Sequence, residues 1–358
     1  MTWAKHSAWT VWLLMIFLGC KASSAAPAAT NLSATAARDS SATEPYVRIS
    51  GSDSNLVQLQ VAARAFLPTN GPGPVIWLTA VSHIGDSNYY AALQKQLAQR
   101  TLVLYEGVSA AEDGAAPRRS RMHQAPVETS SNAPSESVST TAGSLQSSLA
   151  AALGLVFQLD VIDYERPNFR NSDLSVAELR SLLVRSRNRS NDEGQGAPGA
   201  GGESFENLLA LMQGDSWLSS VLQFGLRMLG GSPKLQALGR LTLIDLLGEI
   251  KGDPGQFGAL PPDMKQLLEV LLQKRNQKVL ADLKARLRTA RTEDTVAVFY
   301  GAGHMPDLEQ RLAAELHYYP SGQLWLNAFS VDLKRAGVTP EEREFVRNIV
   351  SWQLKQLK

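Results

Sequence analysis

The chain has 358 residues, 35 Lys and Arg against 34 Asp and Glu, and a formal net charge of +1, so it carries no electrostatic footprint for nucleic acid. Cys20 is its only cysteine, which excludes an internal disulfide and leaves no second thiol to serve as nucleophile or metal ligand. Stability must come from a hydrophobic core, and the chain is long enough to build one.

Lys5 and His6 precede an apolar run from Trp9 to Leu18, and Gly19-Cys20 follows. This is the pattern of a secretory signal, too short to span a bilayer as a helix. Phe17-Leu18-Gly19-Cys20 resembles the lipobox read by the bacterial lipoprotein signal peptidase; the alternative is an ordinary signal cut after Ala25 or Ala26. The expectation is a signal peptide over 1–20 and a membrane anchor through lipidated Cys20. The body would then face the periplasm, with Lys21 fitting outer-membrane sorting. Residues 21–43, mostly Ala, Ser, Thr and Asn, read as a flexible tether.

From residue 44 to 358 the sequence predicts one α/β domain. Leu56 to Phe66 and Val75 to Val81 read as strands around the turn Gly71-Pro72-Gly73-Pro74. Asp86 is a natural N-cap for a helix from Ser87 to Gln99, and Thr101 to Tyr105 is a further buried strand. Two biased stretches, 109–143 and 186–203, read as disordered inserts. The region between reads as helical, with Leu145, Leu149, Leu153, Val156, Phe157 and Asp160 fitting one helix. Phe205 to Leu211, Trp217 to Leu229 and Met264 to Leu287 fit others. Thr295 to Tyr300 is a strand, followed by a helix from Pro306 to Leu316. Leu324 to Phe329 is another strand, and Thr339 caps a closing helix from Pro340 to Leu357. Strands apolar on both faces and separated by helices imply a mostly parallel sheet covered on both sides, with a large helical insertion between its two halves.

The chemical argument rests on polar residues just past strand ends. His83 follows Val75 to Val81, Glu106 follows Thr101 to Tyr105, and His304 follows Thr295 to Tyr300 through Gly301-Ala302-Gly303. Open parallel sheets gather ligands and catalytic groups at these carboxyl ends. Two histidines and a glutamate suit a divalent transition metal; the competing reading is that each caps a helix or satisfies a turn. Of the five histidines, His6 falls in the signal and His123 in an insert, while His317 ends a helix where a surface role suffices. Neither an H-E-x-x-H helix nor a G-x-S-x-G elbow occurs.

The segments Val75 to Gly85, Leu102 to Gly107 and Tyr300 to His304 resemble the TraB/PrgY/GumN family, related to the Tiki proteases. So do Leu153 to Gln158, Asp163-Tyr164, Lys274-Arg275-Asn276 and Trp325 to Phe329, so that the resemblance covers about residues 56 to 330. The family's marks are two G-x-x-H motifs, a Glu after the first and an Arg-bearing helix between them. The second motif stands at Gly301 to His304; the first departs, with Ala80 where the family usually has Gly.

The resemblance implies a metal-dependent hydrolase of peptides or similar amides. His83, Glu106 and His304 would bind a divalent metal (Mn, Co or Zn), Glu106 acting as ligand or general base, and Arg275 would stabilise an oxyanion. Asp163, Tyr164 and Asn276 are further candidates for contacting substrate or supporting the site. The alternative is a non-catalytic lipoprotein that binds a peptide, a signal or haem, for which Tyr164 or His317 are the candidate axial ligands.

Overall fold

The computed structural model describes residues 44–52, 54–107, 147–175, 177–178, 181–182, 230–250 and 270–355. Cys20 with its signal, the tether, the inserts at 109–143 and 186–203, and the helices expected over 205–211 and 217–229 lie outside the described residues.

The molecule is an α/β protein whose main sheet is built from strands β1 (Val47–Ser50), β2 (Leu56–Pro68), β3 (Val75–Val81), β5 (Leu102–Tyr105), β7 (Phe169–Asn171), β8 (Thr295–Gly301) and β9 (Tyr318–Asp332). Strands β3, β8, β5 and β7 run parallel side by side and form its centre. An antiparallel wing completes it: β9 lies along one edge of β2 from Leu56 to Pro68, while β1 and β3 share the other edge. A two-stranded ladder of β4 (Ile84–Gly85) and β6 (Val156–Phe157) stands beside the main sheet.

The central strands are continuous apolar runs because both their faces are covered. Ile76, Leu78, Val103, Ala297 and Val298 are wholly enclosed, and burying a side chain of Val, Leu or Ile size contributes about 1.5–3 kcal/mol. Helix α3 (Pro233–Ile250) covers the face of the wing that carries Ile49, the residue against which Gly248 lies. Helix α5 (Met305–Leu316) covers the opposite face, where Glu309 accepts hydrogen bonds from Tyr46 Oη and Arg64 Nη1, each at 2.6 Å. That buried cluster fastens the start of the described body to β2 and α5. Among the described residues, no helix is long and apolar enough to cross a membrane.

Several elements differ from the sequence reading. The single helix expected from Leu145 to Asp160 is broken: helical turns over 147–152 end at Gly154, whose φ of 64° leaves the right-handed region. Strand β6 and the short helix α2 (Gln158–Val161) follow. The three- and four-residue spacing of the apolar residues was satisfied by two separate pieces, not by one. Asp86 precedes helix α1 (Ser87–Ala98) at its N-cap position, but its side chain makes no capping bond and faces Arg240 Nη1 at 3.4 Å. The strand expected over Leu324 to Phe329 is the middle of the fifteen-residue β9. The part of the Met264 to Leu287 helix that is described begins as a π-helical turn, Val270–Lys274, and continues as α4 (Arg275–Leu287). Helices α6 (Leu333–Ala336) and α7 (Pro340–Lys355) close the chain.

Candidate active site

Parallel pairing sets the positions of the two histidines. Strands β3 and β8 are neighbours with Ala80 opposite Tyr300 and Val81 opposite Gly301, so both chains leave the sheet at the same level. His83 follows β3 by two residues and is held before β4. The ladder of Ile84 with Phe157 brings Gln158 beside it, and Gln158 N–H donates to the His83 carbonyl at 2.8 Å. Ser82 is fixed from α1, its N–H bonded to Tyr89 Oη and its carbonyl accepting Tyr90 Oη at 2.7 Å. Gly85 is needed here, because a Cβ would come within 2.8 Å of the Ala328 carbonyl oxygen.

His304 closes a 3₁₀ turn, Ala302–His304, that leads from β8 into α5. Glu106 extends β5 by one residue: its N–H donates to the Phe299 carbonyl at 3.0 Å, and its Oε2 accepts the Gly301 N–H at 2.6 Å. The carboxylate is thereby fixed where β8 ends. Arg275 and Asn276 open α4, both buried.

These side chains form one buried polar cluster. Glu106 Oε1 lies 2.8 Å from Arg275 Nη2 and 3.6 Å from His304 Nε2. The second distance is too long for a hydrogen bond. The first is a charge contact: the aligned N–H of Nη2 points to Asp173, and Oε1 accepts no aligned hydrogen bond. Burial alone would raise the Glu106 pKa; the Arg275 guanidinium, and then the imidazoles of His304 and His83, outweigh it and hold the carboxyl well below the usual range. The same ion pairing runs the other way at Arg275, whose pKa burial would lower and which Asp173 and Glu106 keep well above its ordinary value.

Each imidazole is gripped at Nδ1 by an amide. His83 Nδ1 lies 2.7 Å from Gln158 Oε1, and Gln158 Nε2 reaches Tyr164 Oη at 2.6 Å. His304 Nδ1 lies 2.7 Å from Asn276 Oδ1, and the His304 ring stands edge-on to Tyr300 at 5.2 Å. His83 Nε2, Glu106 Oε1 and His304 Nε2 are consequently buried polar atoms without a hydrogen-bond partner.

The structure brings Glu106, Arg275, Asn276 and His304 together and places His83 just past the end of the neighbouring strand β3. It also places three further candidates. Asp163 stays outside the cluster, its carboxylate accepting the Glu165 N–H and facing Arg166 at 3.5 Å. Tyr164 is buried, its hydroxyl bonded to the Gln158 that holds His83. Arg275 is not free to meet an oxyanion: its Nε donates to Asp173 Oδ1 at 2.8 Å and its Nη2 to Asp173 Oδ2, and its side chain is 1% exposed. His317 caps α5 in the left-handed conformation, exposed and away from the cluster.

Asp173 is the residue the sequence reading missed. It follows the parallel strand β7 by two residues, the same relation that marks His83. Its strand is three residues long and reads Phe-Arg-Asn, so no apolar run announced it. Ala80 sits buried in β3 without strain, since His317 is the only non-glycine residue with positive φ among the described residues.

Among the described residues, no group of three or more His, Cys, Asp or Glu is arranged to hold a metal ion. By type, two imidazole nitrogens and one carboxylate oxygen, all buried and without an aligned hydrogen bond, are atoms that a divalent transition metal takes as ligands. In comparisons with known proteins, no family model, no curated protein and no solved structure matches the chain.

Proposed function

We propose that the chain is a lipoprotein of the cell envelope, anchored through Cys20, whose buried His83, Glu106 and His304 hydrolyse a peptide or similar amide with a divalent metal, Mn, Co or Zn. The likeness to the TraB/PrgY/GumN family gives the reaction class. The observation that carries the reading is the trio of buried polar atoms without a hydrogen-bond partner, His83 Nε2, Glu106 Oε1 and His304 Nε2. A buried acceptor left without a donor costs about 1–3 kcal/mol, and a cation among the three would offset that cost.

His83, Glu106 and His304 would hold the metal, which when bound supplies Lewis acidity and water activated near neutral pH. Glu106 is better suited to be a ligand than a general base, because a carboxyl held far below its usual pKa is a poor proton acceptor at neutral pH. Arg275 keeps that carboxylate charged, and Asp173 keeps Arg275 in place.

The test is elemental analysis of the purified protein and titration with Mn²⁺, Co²⁺ and Zn²⁺, comparing wild type with His83→Ala/His304→Ala. One equivalent of metal in the wild type, lost in a variant of unchanged circular dichroism, is expected. Equal and negligible binding by both proteins would remove the metal mechanism and leave a non-catalytic binding protein.

A further inference from the structure

We propose that Asn276 is the positioning residue that selects the tautomer of His304, holding the proton of the neutral ring on Nδ1 and leaving Nε2 as the acceptor. The inference concerns the same site as the hydrolase reading but depends on neither metal nor turnover.

The argument starts from the side-chain amide of Asn276. Its Nδ2 donates to Asp307 Oδ2 at 2.7 Å and to the His304 carbonyl at 3.2 Å. Asp307 Oδ2 is itself bonded by Arg311 Nε at 2.7 Å. A carboxylate and a backbone carbonyl can only accept. Turning the amide over would press Oδ1 against both, so Oδ1 must face the imidazole. It lies 2.7 Å from His304 Nδ1 and can only accept there, which requires a proton on Nδ1; in the neutral ring the lone pair then falls on Nε2.

That lone pair stands 3.6 Å from Glu106 Oε1, an acceptor with no aligned donor. With the proton on Nε2 instead, a small movement would close an N–H···O bond and satisfy both atoms. In the neutral ring Asn276 disfavours that tautomer and keeps two buried acceptors facing each other, a gap that suits an electropositive guest.

The contrast with His83 sharpens the point. Gln158 Oε1 grips His83 Nδ1 at 2.7 Å, but its amide nitrogen meets the Tyr164 hydroxyl, which can donate as well as accept. The two histidines leave adjacent parallel strands and use the same device, yet only the one at His304 is locked.

Long-range ¹H–¹⁵N spectra of the full chain, ring-labelled at histidine, treated with chelator and held at neutral pH, read which nitrogen bears the proton. In the wild type, the His304 proton is expected on Nδ1. In Asn276→Leu its major form becomes Nε2–H, while the His83 pattern is unchanged and serves as the control for an intact fold. The double variant Asn276→Asp/Asp307→Asn, which exchanges the amide and the carboxylate, restores Nδ1–H. An Nε2–H or doubly protonated His304 in the wild type, or an unchanged His304 pattern in Asn276→Leu, would overturn the proposal. Should Asn276→Leu fail to fold, Asp307→Ala carries the test: a second His304 tautomer is expected, and an unaltered pattern refutes the lock. Because no metal is present, a failed metal titration leaves this result standing, and the converse holds.

Discussion

Arg275 and Asp173, 102 positions apart in the chain, meet through two hydrogen bonds, Nε to Oδ1 at 2.8 Å and Nη2 to Oδ2, with both side chains enclosed. Arg275 also faces Glu106, so one guanidinium balances two buried carboxylates. Removing Asp173 takes away both aligned acceptors of a buried guanidinium whose charge Glu106 still balances, and leaving buried donors unpaired typically costs about 1–3 kcal/mol. Asp173→Ala is expected to fall in that range by urea unfolding, more than the same change at the partly exposed Asp163. A loss below about 1 kcal/mol, the level of a surface pair, would show that the cluster does not bear on stability.

The depressed pKa of Glu106 makes a prediction about acid. Below about pH 4.3, the ordinary value for Glu, the unfolded chain takes up a proton at this position that the native protein refuses. Its contribution to stability is therefore complete above that pH and is lost as the pH falls toward the lower native value. Urea midpoints followed from neutral pH downward should fall more steeply in the acid range for wild type than for Glu106→Gln. Parallel curves for the two proteins would contradict the charge balance described for this site.

Ala80 occupies the first position of the A-x-x-H motif on β3, in ordinary extended backbone. Ala80→Gly should lower stability by about 0.5–1 kcal/mol through added freedom of the unfolded chain and leave metal affinity unchanged. Tighter metal binding by the glycine variant would mean that the methyl group obstructs the site.

The sequence made the buried strands legible because β3, β5 and β8 are apolar on both faces and bounded by turns. Residues just past their ends therefore stood out, and Glu106, His304 and His83 were singled out that way. Arg275 and Asn276 were found by resemblance, yet the role of Arg275 could not be read, since its partner Asp173 follows a strand too short and too polar to register. Gln158 was hidden for a different reason: the apolar spacing around it fits a helix, and only the break at Gly154 reveals the turn into β6. β1 escaped as well, because its four residues gain their strand character from pairing with β2 and not from their own pattern.

Strand β8 lies between β3 and β5, although nearly two hundred residues of sequence intervene after β5. Neither early strand has its central neighbour until this late segment is inserted between them, and the same insertion delivers Gly301 to Glu106 and His304 to the cluster. Formation of the sheet and assembly of the site are thus a single event of long range, slow by the entropy of the loop it must close. A chain emerging amino end first would carry an inert half-sheet until its last third arrived, and two fragments divided between Asp173 and Arg275 would each be incomplete, regaining the cluster only on reassociation.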